Sequence, residues 1–288
     1  MAQILSGKQV SAALSDQLKL DVEKLKASGI DPTLGILRIG AKPDDIAYER
    51  GATKRAETVG VSVKNYQYDS DISQEMLISE LRKINADDSV HGVLLLKPLP
   101  SHIDEKIVCR ELKPSKDVDG VTEGSMAGIY SGSGLGYPPC TAAACIEILK
   151  FYGIELKGKK TVVIGRSLVI GKPVAMLLIK EDCTVTICHT KTTDMPKICQ
   201  EAELLIVAAG KAKSIGSEYF NKGQIVIDVG INVDDDGNLC GDVDFSAAEG
   251  CVQAITPVPG GVGTVTTGIL MKHVVEAATK FGGILNVM

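Results

Sequence analysis

The 288-residue chain contains no tryptophan, and aromatic residues make up 4% of it. A planar ligand would therefore have to stack on one of a small number of tyrosines. No apolar run reaches the ~20 residues that a membrane-spanning helix needs. The net charge of −5 argues against nucleic acid as the main partner, because binding to phosphates requires a basic surface. We expect neither a membrane nor a nucleic-acid partner.

The eight cysteines form no CxxC pair, and the four histidines do not cluster with them. In a chain of this size such cysteines are typical of reduced, mostly buried thiols of a cytosolic protein. We therefore expect no metal site. The first residues lack the basic stretch followed by an apolar stretch that marks a signal peptide, and this favours a cytoplasmic location.

Short apolar runs alternate with helical patterns along most of the chain. Runs such as 92–96, placed between helical segments such as 43–59, are typical of parallel strands covered by helices on both faces. Residues 115–139 are rich in Gly, Ser and Asp and are predicted to be a connection. From Thr161 the pattern restarts as βαβαβ, which indicates a doubly wound nucleotide-binding unit. We predict a two-domain α/β protein whose C-terminal domain is of the Rossmann type.

A predicted strand at 161–164 runs directly into a glycine turn that ends before a helix. Strand, glycine turn and helix in this order are the context of a dinucleotide-binding fingerprint, with phosphate at the helix N-terminus. A serine takes the place of the second glycine, so the turn departs from GxGxxG. The residues that we assign to the cofactor here are Gly165, Arg166, Ser167, Gly171 and Pro173.

The end of the next strand predicts which dinucleotide binds. NAD sites carry an acidic residue there for the ribose 2′-hydroxyl. In this chain Cys188 is followed by His189, Thr190 and Lys191, with no carboxylate. Thr190 and Lys191 suit a 2′-phosphate, and Arg166 on the glycine turn adds a second cation. We therefore predict NADP rather than NAD.

The segment Pro257–Gly263 holds two prolines and three glycines. The prolines fix their own φ and the glycines permit positive φ and close approach, so the segment predicts a rigid loop that lies against a flat or charged ligand. The threonines that follow can cap a last helix that runs to about Phe281.

Four motifs together carry a resemblance to a known family. They are KDVDG at 116–120, VVIGRSLVIGKP at 162–173, GDVDF at 241–245 and TPVPGGVG at 256–263. With these motifs the chain resembles methylenetetrahydrofolate dehydrogenases, most of which also act as methenyltetrahydrofolate cyclohydrolases at the same site. The resemblance covers essentially the whole chain.

The resemblance implies a folate-binding domain, residues 1–140 with a C-terminal helix 265–288 packed on it, and an NADP-binding domain, residues 141–264. The folate would lie in the cleft between the domains. Asp119 would hydrogen-bond the pterin ring and Tyr48 would pack on the folate, as the expected catalytic residues. By the same resemblance the substrate would also contact Pro259, Gly260 and Gly261, and the cofactor would contact Ile231, Gly263 and Thr266. The resemblance further implies a homodimer that acts in one-carbon metabolism and supplies purine biosynthesis.

This chain departs from the family at two polar positions. Most members carry a lysine four residues after the tyrosine, where this chain has Ala52, and a glutamine where it has Leu96, which we still assign to the substrate. Hydride transfer in the dehydrogenase step needs orientation but no proton transfer. The cyclohydrolase step needs a general acid/base. We therefore expect a dehydrogenase with weak or absent cyclohydrolase activity.

Three alternatives stay open. The chain is an ordinary bifunctional enzyme if Lys97 or a chain of waters replaces the missing lysine. It is of another class, a catalytically silent NADP-binding protein, if NADP binds without turnover. A different dehydrogenase on the same two-domain plan is the third, and no arginine–histidine pair for a carboxylate substrate supports it.

Overall fold

The computed structural model describes residues 1–283 and contains two compact units. One unit comprises Met1–Ala12 and Thr141–Thr266, and the other comprises Ala13–Cys140 and the described C-terminal residues 267–283. The predicted two-domain α/β architecture is confirmed. The last part of the predicted C-terminal helix, positions 284–288, lies outside the described residues.

Strands and helices alternate along the chain. The strands are β1 (Gln3–Ile4), β2 (Thr33–Ile39), β3 (Ser62–Tyr68), β4 (Gly92–Leu95), β5 (Lys160–Ile164), β6 (Thr184–Cys188), β7 (Leu204–Val207), β8 (Ile225–Asp228), β9 (Asn232–Val233), β10 (Leu239–Cys240) and β11 (Ala254–Ile255). The helices are α1 (Gly7–Ala27), α2 (Pro43–Val59), α3 (Gln74–Ala86), α4 (Glu105–Glu111), α5 (Glu123–Ser131), α6 (Cys140–Phe151), α7 (Gly171–Lys180), α8 (Met195–Gln200), α9 (Phe245–Glu249) and α10 (Thr266–Phe281). Within the described part of the chain, no helix is long and apolar enough to cross a membrane.

The unit that contains Ala13–Cys140 is built on a parallel sheet of three strands in the order β3-β2-β4. Helix α2 follows the central strand and carries two of the predicted site positions. It begins with proline at its first turn and ends at Gly60, whose φ is 83°, so both ends fall where the sequence predicted them. Leu37 of β2, Leu77 of α3 and Leu95 of β4 meet in one buried core cluster.

The unit that contains Thr141–Thr266 is built on a parallel sheet of six strands in the order β1-β11-β8-β7-β5-β6. The chain crosses from β6 over β5 to reach β7, so the order reverses between β5 and β7. In open α/β sheets a ligand binds at such a switch point, outside the carboxyl ends of the strands. The glycine turn after β5 lies at this point.

The first residues of the chain belong to this six-stranded sheet, whereas the predicted domain range 1–140 placed them in the other domain. Strand β1 pairs in parallel with β11, with Gln3 opposite Ala254 and Ile4 opposite Ile255. A strand of two residues is too short to show the period-two alternation by which strands are recognised.

The segment 115–139, predicted to be a connection, contains helix α5, and that prediction was wrong there. Thr122 caps the helix by accepting a hydrogen bond from the amide of Ser125, and Gly132 with φ 68° ends it. Position 128 lies inside this helix and is occupied by glycine, because a Cβ there would be 1.9 Å from the carbonyl oxygen of Leu135. Small residues chosen for such close packing hide the helical pattern of apolar residues.

Candidate active site

The loop Lys116–Gly120 presents Asp119 and is fixed at its start by buried polar contacts. The ammonium group of Lys116 donates hydrogen bonds to the carbonyl oxygens of Ile84 (3.0 Å) and Asp87 (2.6 Å), where α3 ends. The fully buried carboxylate of Asp117 accepts three hydrogen bonds at the start of α5. The donors are the amides of Val121 (2.9 Å) and Thr122 (2.8 Å) and the hydroxyl of Ser125 (2.6 Å).

The same loop is fixed on both sides of Asp119. Val118 is fully buried, and its carbonyl oxygen lies 2.8 Å from Nδ1 of His273 in α10. Gly120 has φ 65°, and a Cβ at this position would be 2.4 Å from the backbone nitrogen of Pro139. A residue with a side chain would collide there, so the glycine of the KDVDG motif has a steric cause. The other residues of the motif therefore act as anchors, and Asp119 is the one they present.

Asp119 lies beside Tyr48 and Cys140. Burial raises the pKa of the half-buried Asp119 carboxyl, and the negative charge of Asp117 raises it further, whereas hydrogen bonds from the thiol and the amide of Cys140 lower it. Burial also raises the pKa of the Tyr48 phenol, with added effect from Asp119 and Cys140. Since 39% of Tyr48 remains exposed, part of the ring is open to a ligand. The structure thus brings together the two predicted catalytic residues.

The positions where a polar pair was expected are apolar and covered. Ala52 on α2 is fully buried, and Leu96, which follows β4, is 6% exposed. The next residue, Lys97, places its ammonium nitrogen 3.2 Å from a carboxylate oxygen of Glu105 in α4, with 31% of the lysine side chain exposed. Neither Ala52 nor Leu96 offers a group that transfers a proton.

The glycine turn after β5 is as tight as the fingerprint predicts. Gly165 has φ 122°, and a Cβ there would lie 2.3 Å from the carbonyl oxygen of Ala208. A Cβ on Gly171 would lie 2.3 Å from the carbonyl oxygen of Gly165. Between them the hydroxyl of Ser167 accepts hydrogen bonds from the amides of Ile170 (3.1 Å) and Gly171 (3.4 Å). The serine that replaces the second glycine therefore closes the turn onto the start of α7.

The turns that follow β5 and β6 are neighbours. Ile164 and Cys188 are paired across the two strands, and Arg166 and Thr190 each lie two residues beyond this pair. Arg166, Thr190 and Lys191 are exposed. This arrangement places two cations and a hydroxyl at the carboxyl ends of adjacent strands, where they suit a phosphate group. Pro173, also assigned to the cofactor, is instead buried in the first turn of α7.

The C-terminal loop and the turn after β8 line a cavity of about 190 Å³. The lining residues are 228–231, Leu239 and 257–264, which include the predicted Ile231, Pro259, Gly260, Gly261 and Gly263. The start of the chain holds this loop, because the amide of Gly7 donates to the carbonyl oxygen of Gly260 at 2.8 Å. Thr266 lies beyond the lining, and its hydroxyl donates to the carbonyl oxygen of Gly263 at 3.1 Å.

Two buried carboxylates were not predicted as site residues: Asp228, which lines this cavity, and Asp242, which lies next to it in the hydrogen-bond network. Asp228 accepts hydrogen bonds from the amides of Gly230, Asp242 and Val243 at 3.0–3.1 Å, and burial raises the pKa of its carboxyl to about 6. The carboxylate of Asp242 accepts from three donors on the neighbouring turns. They are the amides of Gly210 and Lys211 and the side-chain amide of Asn232, each at 2.9 Å. The GDVDF motif supplied the available signal, since it contains Asp242.

Two residues of the Asp119 environment were also missed. Cys140 was predicted only as one of the reduced thiols, and His273 was not singled out. All eight cysteines are free, and seven of them are buried. Among residues 1–283 no three His, Cys, Asp or Glu side chains are grouped in a way that could hold a metal ion. Neither residue stands in a spacing that predicts contact with Asp119, so sequence patterns carried no signal for them.

Two family models match the chain. The catalytic domain of tetrahydrofolate dehydrogenase/cyclohydrolase matches residues 5–119, and the NAD(P)-binding domain of the same family matches residues 139–281. The bifunctional protein FolD of Carboxydothermus hydrogenoformans is 48% identical over 287 residues, 99% of this chain and 100% of that protein.

Solved structures agree with this similarity. The bifunctional FolD of Campylobacter jejuni superposes with a TM-score of 0.93 at 37% identity, over 97% of this chain and 99% of that one. The FolD of Trypanosoma brucei, solved with NADP cofactor and an inhibitor, superposes with a TM-score of 0.88 at 33% identity, over 97% of this chain and 98% of that one.

Proposed function

Because the chain belongs to the tetrahydrofolate dehydrogenase/cyclohydrolase family, we propose that it oxidises 5,10-methylenetetrahydrofolate to 5,10-methenyltetrahydrofolate with NADP. Oxidation removes a hydride from the one-carbon bridge and leaves a delocalised cation on the folate. NADP supplies the acceptor for that hydride when it is bound. The protein's part is to bind both molecules and to hold them in the reacting orientation.

The residues after β5 and β6 fit NADP. The steric limits at Gly165 and Gly171 keep the turn tight against its own backbone, and backbone amides at the start of α7 suit a pyrophosphate. Exposed Arg166 and Lys191 supply positive charge for a 2′-phosphate, and residues 189–193, directly after β6, carry no carboxylate to repel it. These features support NADP as the preferred dinucleotide.

Tyr48 and Asp119 are the proposed folate-binding residues. The exposed part of the Tyr48 ring supplies a surface on which the flat pterin packs. The carboxyl of Asp119 accepts hydrogen bonds from the pterin when it is ionised and donates one to the pterin when it is protonated. The ionised form also stabilises the cation that oxidation leaves on the folate. We also propose that the enzyme is a homodimer of one-carbon metabolism.

We propose further that cyclohydrolase activity is weak or absent, and the observation that carries this is Ala52. It lies one helical turn after Tyr48 and is fully buried, so a methyl group occupies the place of a general acid/base. Hydrolysis of the methenyl product requires addition of water and protonation of a ring nitrogen as the adduct opens. Removal of a cation from the site also lowers the repulsion of the cationic product.

The test is hydrolysis of methenyltetrahydrofolate by purified protein without nicotinamide. We expect the rate to stay near the spontaneous rate, while methylenetetrahydrofolate reduces NADP at a normal turnover number. Enzymatic hydrolysis at a rate comparable to dehydrogenase turnover would contradict the proposal that cyclohydrolase activity is weak or absent. NADP binding with no production of NADPH would instead support the silent binding protein.

A bifunctional enzyme is the second candidate, and Lys97 is the observation in its favour. The positive charge of Lys97 lowers the pKa of Asp119, so this cation acts on the proposed folate site. Its ammonium group is paired with Glu105, which holds it away from a role in proton transfer until that pair opens. If the enzyme is bifunctional, Lys97→Met abolishes hydrolysis of methenyltetrahydrofolate and leaves hydride transfer in place. If it is a dehydrogenase only, the parent protein already shows no enzymatic hydrolysis and the substitution changes nothing in that assay.

A further inference from the structure

We infer that His273 is a positioning residue for Asp119, and that it acts by donating a hydrogen bond from Nδ1 to the carbonyl oxygen of Val118. This inference rests on the proposed role of Asp119 in folate binding. Nδ1 lies 2.8 Å from that oxygen, and Asp119 is the next residue in the chain. His273 belongs to α10 and is 4% exposed, so a buried helix holds the loop at the point where its functional side chain begins.

The partner of Nδ1 decides which nitrogen of His273 carries the proton. A carbonyl oxygen only accepts, so at 2.8 Å the ring nitrogen must be the donor and the neutral imidazole is protonated on Nδ1. Burial lowers the pKa of His273 to about 4 and outweighs the hydrogen bond to Val118, which raises it. The positive charges of Lys272 and Lys280 act in the same direction as burial. The ring is therefore neutral at physiological pH, and it donates one hydrogen bond from a fixed tautomer.

Cys140 is a second contact to the same loop. Its sulfur lies 3.4 Å from the carbonyl oxygen of Val118 and 3.8 Å from Nδ1 of His273. Since Nδ1 already carries a proton, the thiol donates toward the loop, to the Val118 carbonyl or to the carboxyl of Asp119. The imidazole and the thiol thus contact two consecutive residues, Val118 and Asp119, and restrain the backbone from which the Asp119 carboxyl projects.

The imidazole itself is held by an aromatic neighbour. The ring of Tyr137 is tilted by 34° against that of His273, with 5.1 Å between the ring centroids. The ammonium group of Lys280 lies over the Tyr137 ring, 4.7 Å from its centroid. These contacts fix the plane of the imidazole, so the direction of its Nδ1 donor is set by packing.

A matched pair of variants separates the hydrogen bond from simple packing. His273→Asn places an amide NH₂ near the position of Nδ1, and His273→Gln places it nearer the position of Nε2. We expect H273N to keep the KM for methylenetetrahydrofolate within about twofold of the parent. We expect H273Q to raise it roughly tenfold, the size of one lost hydrogen bond to a buried acceptor. The KM for NADP should not change in either variant.

Combination with Asp119→Asn shows whether His273 acts through Asp119. If D119N raises the folate KM and H273Q adds little in that background, the inference stands. If D119N raises the folate KM but H273Q behaves like H273N in the parent background, the inference is overturned and the proposed function survives. If D119N leaves the folate KM unchanged, the proposed role of Asp119 fails, and the inference fails with it.

A measurement on the unaltered enzyme covers the case in which H273Q does not fold. The ¹⁵N shifts of labelled histidine report which ring nitrogen carries the proton. We expect a neutral ring protonated on Nδ1 at pH 7, assigned to His273 by its disappearance in H273N. A ring protonated on Nε2 removes the donor to Val118 and overturns the inference without any kinetic result.

Discussion

Tyr48 and Ala52 lie one turn apart on α2, and their environments differ sharply: Tyr48 is 39% exposed, whereas Ala52 is fully buried. Residues four apart on a helix lie on one face, so a longer side chain at position 52 would extend beside the phenol of Tyr48. The proposed division between hydride transfer and hydrolysis depends on this pair of residues.

We expect Ala52→Lys combined with Leu96→Gln to gain cyclohydrolase activity. The lysine supplies the missing acid/base, and the glutamine supplies a polar partner where β4 ends. A positioned acid/base contributes ~10²-fold or more to a rate, so hydrolysis of methenyltetrahydrofolate should rise at least tenfold over the parent. The assay contains no nicotinamide and is compared with the rate of the dehydrogenase reaction.

The matched control for this gain is Ala52→Met with Leu96→Gln. Methionine fills similar space and carries no ionisable group, so this variant should show the stability change without the new hydrolysis. Equal hydrolysis by the lysine and methionine variants would mean that position 52 does not carry the acid/base.

Removal of the cations that follow β5 and β6 should weaken the binding of NADP and not that of NAD. We expect Arg166→Ala and Lys191→Ala each to raise the KM for NADP about tenfold, the value of one charge-assisted hydrogen bond, and to leave the KM for NAD nearly unchanged. Initial rates with both nicotinamides measure this directly. Lys180→Ala, an exposed lysine at the far end of α7, is the control and should change neither KM. A parallel loss for NAD and NADP would place the two cations away from the 2′-phosphate.

Local signals in the sequence were sufficient for some elements and absent for others. Helix α2 was predicted at its bounds because Pro43 and Gly60 mark both ends. Helix α5 was missed because glycines and serines that serve close packing interrupt its pattern. Strand β1 was missed for two reasons. It is only two residues long, and its partner β11 lies about 250 positions away in the sequence.

The residues of the candidate site likewise differ in whether a local sequence signal marks them. The motifs that carry Tyr48, Asp119 and Gly165 are continuous in sequence, so these residues could be predicted as site residues from the sequence. Cys140 and His273 are 133 residues apart and meet through packing, a kind of contact that one sequence without tertiary information does not encode in any spacing.

Two helical glycines predict opposite effects of the same substitution. Gly51 is exposed inside α2, and a Cβ there meets nothing within 4 Å, so Gly51→Ala should stabilise the protein by about 0.5–1 kcal/mol. Gly128 lies inside α5, where a Cβ would be 1.9 Å from the carbonyl oxygen of Leu135, so Gly128→Ala should destabilise it. Urea denaturation of both variants measures the difference. A destabilising Gly51→Ala would show that α2 needs the glycine for a reason other than space.

The depressed pKa of His273 predicts a change in stability with pH. The unfolded chain binds a proton on this histidine below about pH 6.5, whereas the folded protein does so only near pH 4. Protonation therefore favours the unfolded chain as the pH falls, and the stability that neutral His273 contributes above pH 6.5 is lost toward pH 4. Asparagine does not titrate, so His273→Asn removes this dependence. Between pH 7 and pH 5 the variant should lose about 2 kcal/mol less free energy of unfolding than the parent protein.

The comparison uses the difference between the two proteins, because other groups titrate in the same window. Asp228, whose carboxyl has a pKa of about 6, has the opposite sign: its contribution is full below about pH 4 and is lost as the pH rises through 6. It is present in both proteins and cancels, as does His91, whose pKa burial also lowers. If H273N and the parent lose the same stability on acidification, burial does not hold the ring of His273 neutral.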